Sequence, residues 1–271
     1  QYNPGDRFAS MKAMRDALLA VAKKTGSLAH IHVQAGNREQ TVKPIWSFKC
    51  EDEIRGAPAH DNGIVFVGSY DNNLYALNAL DGAFLWKYPT QGGLVCRPAI
   101  SEQTVYIGSE DSRLYAVAAR SGKPVWDYKT EGPIRCSPAV AEGHVFTGSD
   151  DGYLYAVNTL SGRLTWRMDA AETIRSSPVV TQEGVYFGCE NGDFICADFR
   201  GQLKWRYHAK RAITAGPHLA NGVVYFTSLD SMVYALDAKS GWMMWRYRMG
   251  KGSVSSPCRH ENYLLVGSAD Q

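Results

Sequence analysis

Val145-Phe-Thr-Gly-Ser-Asp-Asp-Gly-Tyr-Leu-Tyr-Ala-Val-Asn-Thr-Leu-Ser-Gly-Arg-Leu-Thr-Trp166 is one copy of a pattern that runs through most of this chain. Trp recurs at 46, 86, 126, 166, 205 and 245, at intervals of 40, 40, 40, 39 and 40. Pro keeps the same beat at 58, 98, 138, 178, 217 and 257, and Trp242 is the one Trp out of phase. A fixed period of about 40 residues means an array of one supersecondary unit, each copy burying its apolar face against its neighbours.

The aligned columns show what the unit is. Val65, Val105, Val145, Val185, Val224 and Leu264 share one column, and Gly68, Gly108, Gly148, Gly188, Thr227 and Gly267 share the next informative one. A turn column holds Asp71, Asp111, Asp151, Asn191, Asp230 and Asp270, followed by Tyr75, Tyr115, Tyr155, Ile195 and Tyr234. A second turn reads Asp81-Gly82, Ser121-Gly122, Ser161-Gly162, Arg200-Gly201 and Ser240-Gly241, with Trp four residues beyond each Gly. In the second unit four β-rich runs are expected near 96–100, 105–108, 114–118 and 124–128. Asx-Gly and Ser-Gly turns between the later runs point to antiparallel hairpins. The gaps are too short for helical crossovers, which excludes a parallel βαβ array. Four antiparallel strands every 40 residues predict an all-β fold of propeller blades. An immunoglobulin-like sandwich is the rival, but it would not hold six Trp in phase. Five complete repeats are expected, with a lone Trp46 strand before them, a partial unit after them, and an incomplete ring.

Composition agrees. At 271 residues the chain has room for one or two domains with a real core. It is 45% hydrophobic and 21% charged, which excludes a disordered tail or a coiled coil. The net charge of +2 gives no global field for nucleic acid or an anionic membrane. That total hides a split: residues 1–44 carry seven Lys/Arg against three Asp/Glu, a net +4, leaving −2 for the rest. The split places a boundary near Pro44. No run approaches the 18 apolar residues of a membrane span. The apolar run 17–22 is too short for a signal peptide, and the non-Met start and mid-pattern end suggest a fragment. None of the six Cys forms a CxxC pair, and the count is ordinary for a reducing cytoplasm. A two-residue turn at Asn191-Gly192 would put Cys189 opposite Phe194 and Cys196 opposite Phe187, and no disulfide between these Cys is expected.

Taken together, the Val…Gly-Ser…Asp…Tyr…Ser-Gly…Trp columns over roughly residues 45–271 resemble pyrroloquinoline quinone (PQQ)-type propeller repeats. The Ala…Ser-Gly…Trp stretch is similar to that family's tryptophan-docking motif, which implies that an outer-strand Trp packs between neighbouring blades. WD repeats are a poorer match, because no Trp-Asp or Gly-His pair recurs. The leading segment Asn3-Pro4-Gly5-Asp6-Arg7-Phe8-Ala9-Ser10-Met11 resembles the end of a bacterial Ser/Thr protein kinase domain. A Ser10 N-cap, an apolar face of Met11, Met14, Leu18, Leu19 and Val21, and Lys23-Lys24 before Gly26 predict a helix from Ser10 to about Lys24, and the resemblance implies that 1–24 is a helical kinase tail. It also implies that Arg7 pairs with an absent kinase carboxylate and that 25–44 is a linker. None of the kinase's chemistry is here: no Gly-rich phosphate loop, no His-Arg-Asp and no Asp-Phe-Gly.

Functional residues are sparse. His30-x-His32 lacks further metal ligands, and the remaining His share no repeat column. The quinoprotein dehydrogenases of this superfamily usually carry an adjacent Cys-Cys pair, which does not occur. No catalytic, cofactor or metal residues are therefore expected. One column does vary: Arg55, Val95, Arg135, Arg175, Thr214 and Val254, followed by small residues suited to a crowded axis. Arg55, Arg135 and Arg175 are the candidate ligand residues, converging on an anion or acidic peptide at one mouth of the channel. The functional expectation is a non-catalytic docking or sensing module C-terminal to a Ser/Thr kinase. It would bind a protein or peptide at the propeller face and work in the cytoplasm, with the kinase in cis and no nucleic acid. The alternatives are a periplasmic scaffold like the outer-membrane-assembly lipoproteins and, third, a quinoprotein dehydrogenase.

Overall fold

The computed structural model describes residues 43–261 and 263–269. The expected kinase tail, Arg7, the Ser10–Lys24 helix and most of the linker lie outside them. All the strands fall in the compact unit Ile45–Gln271. Five four-stranded antiparallel sheets follow one another, each with its strands in sequence order, and a two-stranded sheet comes last. We number the four-stranded sheets blade 1 to blade 5. The strands of blade 2 are Ala99–Ser101, Thr104–Gly108, Arg113–Ala118 and Pro124–Lys129. The fold is an all-β propeller of four-stranded blades, as the period predicts.

Three local details differ from the sequence reading. The innermost strand starts at Ala99, after Pro98, and has only three residues. Residues 43–58 form no strand, so Trp46 docks from an irregular segment. The turn at Asn191-Gly192 is one residue longer than expected. Cys189 donates its amide to the Asp193 carbonyl at 2.8 Å, and Phe194 faces Gly188 while Cys196 faces Tyr186. The third loop residue is left-handed in every blade: Asn72, Ser112, Gly152, Gly192 and Ser231. That is the three-residue hairpin, in which a type I turn ends in a left-handed residue. All six Cys are free thiols.

Tryptophan ties each blade to the next. The indole Nε1 of Trp46, Trp86, Trp126, Trp166 and Trp205 donates to the carbonyl oxygen 33 residues on, at 2.7–3.0 Å. Each ring lies on the left-handed Gly of the next blade's last turn. A Cβ on Gly82, Gly122, Gly162, Gly201 or Gly241 would sit 2.6–2.7 Å from ring atoms. A bulge in every blade, one residue before the Trp, re-aims the outer strand and places Ala76, Ala116, Ala156, Cys196 or Ala235 opposite the indole. Trp245 departs from its five counterparts. It is 42% exposed.

The Asp column is a second joint. In blade 2, Asp111 caps its own hairpin through the Arg113 amide at 3.0 Å and accepts the Tyr115 hydroxyl at 2.7 Å. It also accepts the amide of Gln91, on the segment arriving from blade 1, at 2.8 Å. Asp71, Asp151 and Asp230 repeat the arrangement. Partial burial opposes ionisation of Asp71, but its hydrogen bonds from Tyr75, Asn73 and Glu51 outweigh it and hold the carboxyl below its usual range. The Tyr partners shift upward, first by burial and then by the adjacent carboxylate.

Candidate functional site

The loops that lead into the innermost strands share one mouth of the blades with the hairpins between second and third strands. The Arg column lies on these loops and the residue before each Asp lies on these hairpins, so geometry brings the two together. Arg135 Nε donates to Glu110 Oε1 of the preceding blade at 2.8 Å, and its Nη1 donates to Asp150 of its own blade. Arg175 donates to both oxygens of Asp150, at 3.1 and 3.2 Å, and pairs with Glu190 at 2.9 Å. Its hydrogen bond to Asp150 is the largest cause holding the guanidinium above its usual range. Arg55 pairs with Glu53 at 3.0 Å, lies over the Tyr70 ring at 4.4 Å and donates to the Tyr70 hydroxyl. The Tyr70 hydroxyl in turn reaches Glu110 at 3.5 Å.

A polar ladder results, running Glu53, Arg55, Tyr70, Glu110, Arg135, Asp150, Arg175, Glu190 across blades 1 to 4. Asp150 is the least exposed charged member at 13%, while Arg135 and Arg175 keep 33% and 41% of their side-chain surface. Of the three candidate Arg, two share one carboxylate and the third joins through Tyr70 and Glu110. Their donors already face carboxylates, so a small free anion would have to displace Asp150 or Glu110. The reading from sequence saw the Arg column and missed its partners. Tyr70, Glu110, Asp150, Glu190 and Leu229 stand immediately before the Asp/Asn turn column, and writing out that column would have shown them. From blade 5 onward the ladder stops, with Thr214, Leu229 and Val254 at its positions.

The small-residue column behaves as a crowded neck. A Cβ on Gly56 would lie 2.4 Å from the Cys96 carbonyl oxygen. Burial pushes the Cys96 thiol up to about 12, and Cys136 is raised for the same reason. Both behave as small core residues rather than nucleophiles. Among the described residues no group of three or more His, Cys, Asp or Glu side chains is placed to hold a metal ion.

Comparison with known proteins adds the family. Residues 5–271 match the family described as the β-propeller of the β-alanine-activating enzyme. The chain belongs to this family. Among solved structures, BamB from Moraxella catarrhalis is 24% identical with a TM-score of 0.73, over 83% of this chain and 71% of that one. The quinohemoprotein alcohol dehydrogenase ADHIIG from Pseudomonas putida HK5 is 19% identical with a TM-score of 0.66, over 75% of this chain and 43% of that one. These likenesses show the fold. The lanthanide-dependent methanol dehydrogenase of Methylacidiphilum fumariolicum (strain SolV) is 31% identical over 68 residues. That stretch is 24% of this chain and 11% of the enzyme. The propeller is of the PQQ and quinoprotein-dehydrogenase type.

The same comparisons correct the functional expectation. The family match begins at residue 5, inside the segment that resembles a kinase tail, and continues through the expected linker into the blades. The relatives reported above are BamB and two quinoprotein-type alcohol dehydrogenases, a quinohemoprotein alcohol dehydrogenase and a methanol dehydrogenase. A short motif of about 20 residues carried the kinase reading, and a match over the whole chain outweighs it.

Proposed function

We propose that this chain is a non-catalytic assembly scaffold, a propeller that holds a protein partner against one mouth of its blades. The observation that carries the reading is the polar ladder. The repeating columns make joints between blades, whereas the ladder varies from blade to blade and presents alternating guanidinium and carboxylate groups to solvent. Such a strip recognises a polypeptide by charge pattern rather than binding one small ion. The likeness to BamB supports a scaffold, and the family description supports a propeller that accompanies an amino-acid-activating enzyme.

Site-specific photo-crosslinking in the native cell tests this. A photoreactive residue at Arg55 or Val254 reports on the ladder mouth, and one at Leu80 or Leu160 reports on the opposite mouth. The expected result is a discrete adduct from the first pair, lost when Glu110 and Asp150 are changed to Lys. Adducts from the second pair alone, or from neither, would overturn the proposal.

A further inference from the structure

A cleft of about 330 Å3 lies along the innermost strands of blades 1 to 4, lined in part by His60, Arg97, Ser137 and Ser177. Arg97 occupies the repeat position directly before the phased Pro. The other copies there are Ala57, Ser137, Ser177, Gly216 and Ser256. One long cation thus stands in a column otherwise filled by small neutral residues. Its side chain is exposed, and its guanidinium has no hydrogen-bond or ionic partner among the described residues. Arg55, Arg113, Arg135, Arg167, Arg175 and Arg206, by contrast, are all paired with carboxylates.

The serines supply the rest of the site. The Arg97 amide donates to Ser137 Oγ at 3.0 Å, and the Ser137 amide donates to Ser177 Oγ at 3.0 Å. Each bond crosses from one blade to the next and fixes a hydroxyl oxygen beside the axis. Each hydroxyl has accepted a hydrogen bond there and has no acceptor for its own proton among the described residues. The prolines that share the lining have no N–H. No carboxylate lines the cleft. The polar side chains lining it are therefore one guanidinium and two hydroxyl donors, with His60 beside them.

We infer that this cleft binds a carboxylate, held by the Arg97 guanidinium with its outer lone pairs on the Ser137 and Ser177 hydroxyls. A planar carboxylate matches the two parallel N–H groups of Arg. The lining gives an ammonium no carboxylate to pair with, so acidic ligands are selected over zwitterions that must sit as deep. The site uses no side chain of the ladder and does not depend on the scaffold proposal.

Calorimetric titration of the whole chain at low salt tests it, with succinate as one probe and an end-blocked tripeptide amide carrying Glu as the other. Arg97→Gln is expected to weaken binding at least about tenfold, Arg97→Lys less, and Ser137→Ala with Ser177→Ala about three- to tenfold, in line with charge-assisted contacts. Arg97→Gln removes no partnered side chain, so its melting point should match that of the unaltered chain and keep the test readable even if the Ser variants unfold. Tighter binding of the peptide assigns the site to an acidic polypeptide, and tighter binding of succinate assigns it to a free acid. Equal affinity of the Arg97→Gln and unaltered chains, or no saturable binding of either probe, overturns the inference.

Discussion

Gly162 and Gly143 lie in the same blade, both left-handed, with φ of +65° and +70°. A Cβ on Gly143 would meet nothing within 4 Å, whereas one on Gly162 would lie 2.6 Å from Trp126 Cγ and 2.7 Å from Cδ2. Gly143→Ala therefore reports only the backbone cost of a left-handed Ala, about 1 kcal/mol. Gly162→Ala adds the displacement of a packed ring, about 1–3 kcal/mol. It also weakens the 2.7 Å bond from Trp126 Nε1 to the Thr159 carbonyl, which is worth about 1 kcal/mol. The expected loss is about 3–5 kcal/mol for Gly162→Ala against about 1 kcal/mol for the control. In a Trp126→Ala background the ring is gone, and Gly162→Ala should fall to the control value. Urea melts with unchanged slope give the four stabilities of the cycle. If Gly162→Ala costs no more than Gly143→Ala, or if its cost survives removal of Trp126, the ring does not bear on that glycine and the docking argument fails.

Tyr75, Tyr115, Tyr155 and Tyr234 each donate to the column Asp and are raised above the usual value of 10, first by burial and then by that carboxylate. Their contribution is full below the unfolded value and is lost as pH rises through the folded value, so above the usual phenol value each of these four should stay protonated in the native chain while its denatured counterpart ionises. Phenolate absorbance rising to its full amplitude while circular dichroism stays native would contradict this. Gly148→Ala should destabilise by about 1–3 kcal/mol, because its Cβ would lie 2.2 Å from Ile174 Cγ2. Gly148→Thr with Ile174→Ser, which copies the Thr227 and Ser253 of blade 5, should cost less than the two single changes together, and strict additivity in the melts would refute the volume exchange.

The blades were legible because each constraint is written five or six times. Trp at one position and Gly 35 or 36 residues on are two halves of one contact, so the period carried the interface as well as the fold. The errors fall where a residue acts across blades without leaving a repeated signature. The innermost strand was expected from Cys96, but the Arg97 amide bonds to Ser137 of the next blade instead of a sister strand, so the ladder starts only at Ala99. The Asn191-Gly192 turn was shortened by one residue because Asn-Gly favours a two-residue hairpin. Here the Asn side chain caps the Asp193 amide at 2.9 Å and a third residue takes the left-handed position. Three guanidiniums were found without their carboxylates, because pairing them requires knowing which loop faces which hairpin. That relation exists only once the blades are stacked.

Blade 4 shows what the repeat protects. It has lost the column Asp and Tyr, with Asn191 and Ile195 in their places, and Cys189 stands where the other blades have Ser. The turn survives on the Asn191 side chain, and a carboxylate reappears two residues later as Asp193. That side chain is 8% exposed and is held by Arg206 at 3.1 Å, His208 at 2.8 Å and Asn191 at 3.1 Å. The amide of Ala171, equivalent to the Gln91 amide bound by Asp111, is taken by Asp169 of its own blade at 2.7 Å. Blade 5 makes a different exchange, in which Thr227 replaces the crowded Gly and Ser253 replaces the bulky Leu or Ile opposite it. Both changes keep a quantity rather than a residue: one turn capped and one buried carboxylate neutralised in blade 4, one interface volume filled in blade 5. Stacked blades impose those quantities, since an unpaired buried carboxylate or a clash between sheets would cost several kcal/mol at a joint every neighbour shares. The ladder and Arg97 stand outside that rule, because the ladder's ion pairs, though they cross between blades 1 to 4, are not repeated beyond them, and Arg97 is a cation in one copy alone; positions released from the repeat in this way are where a binding surface can vary.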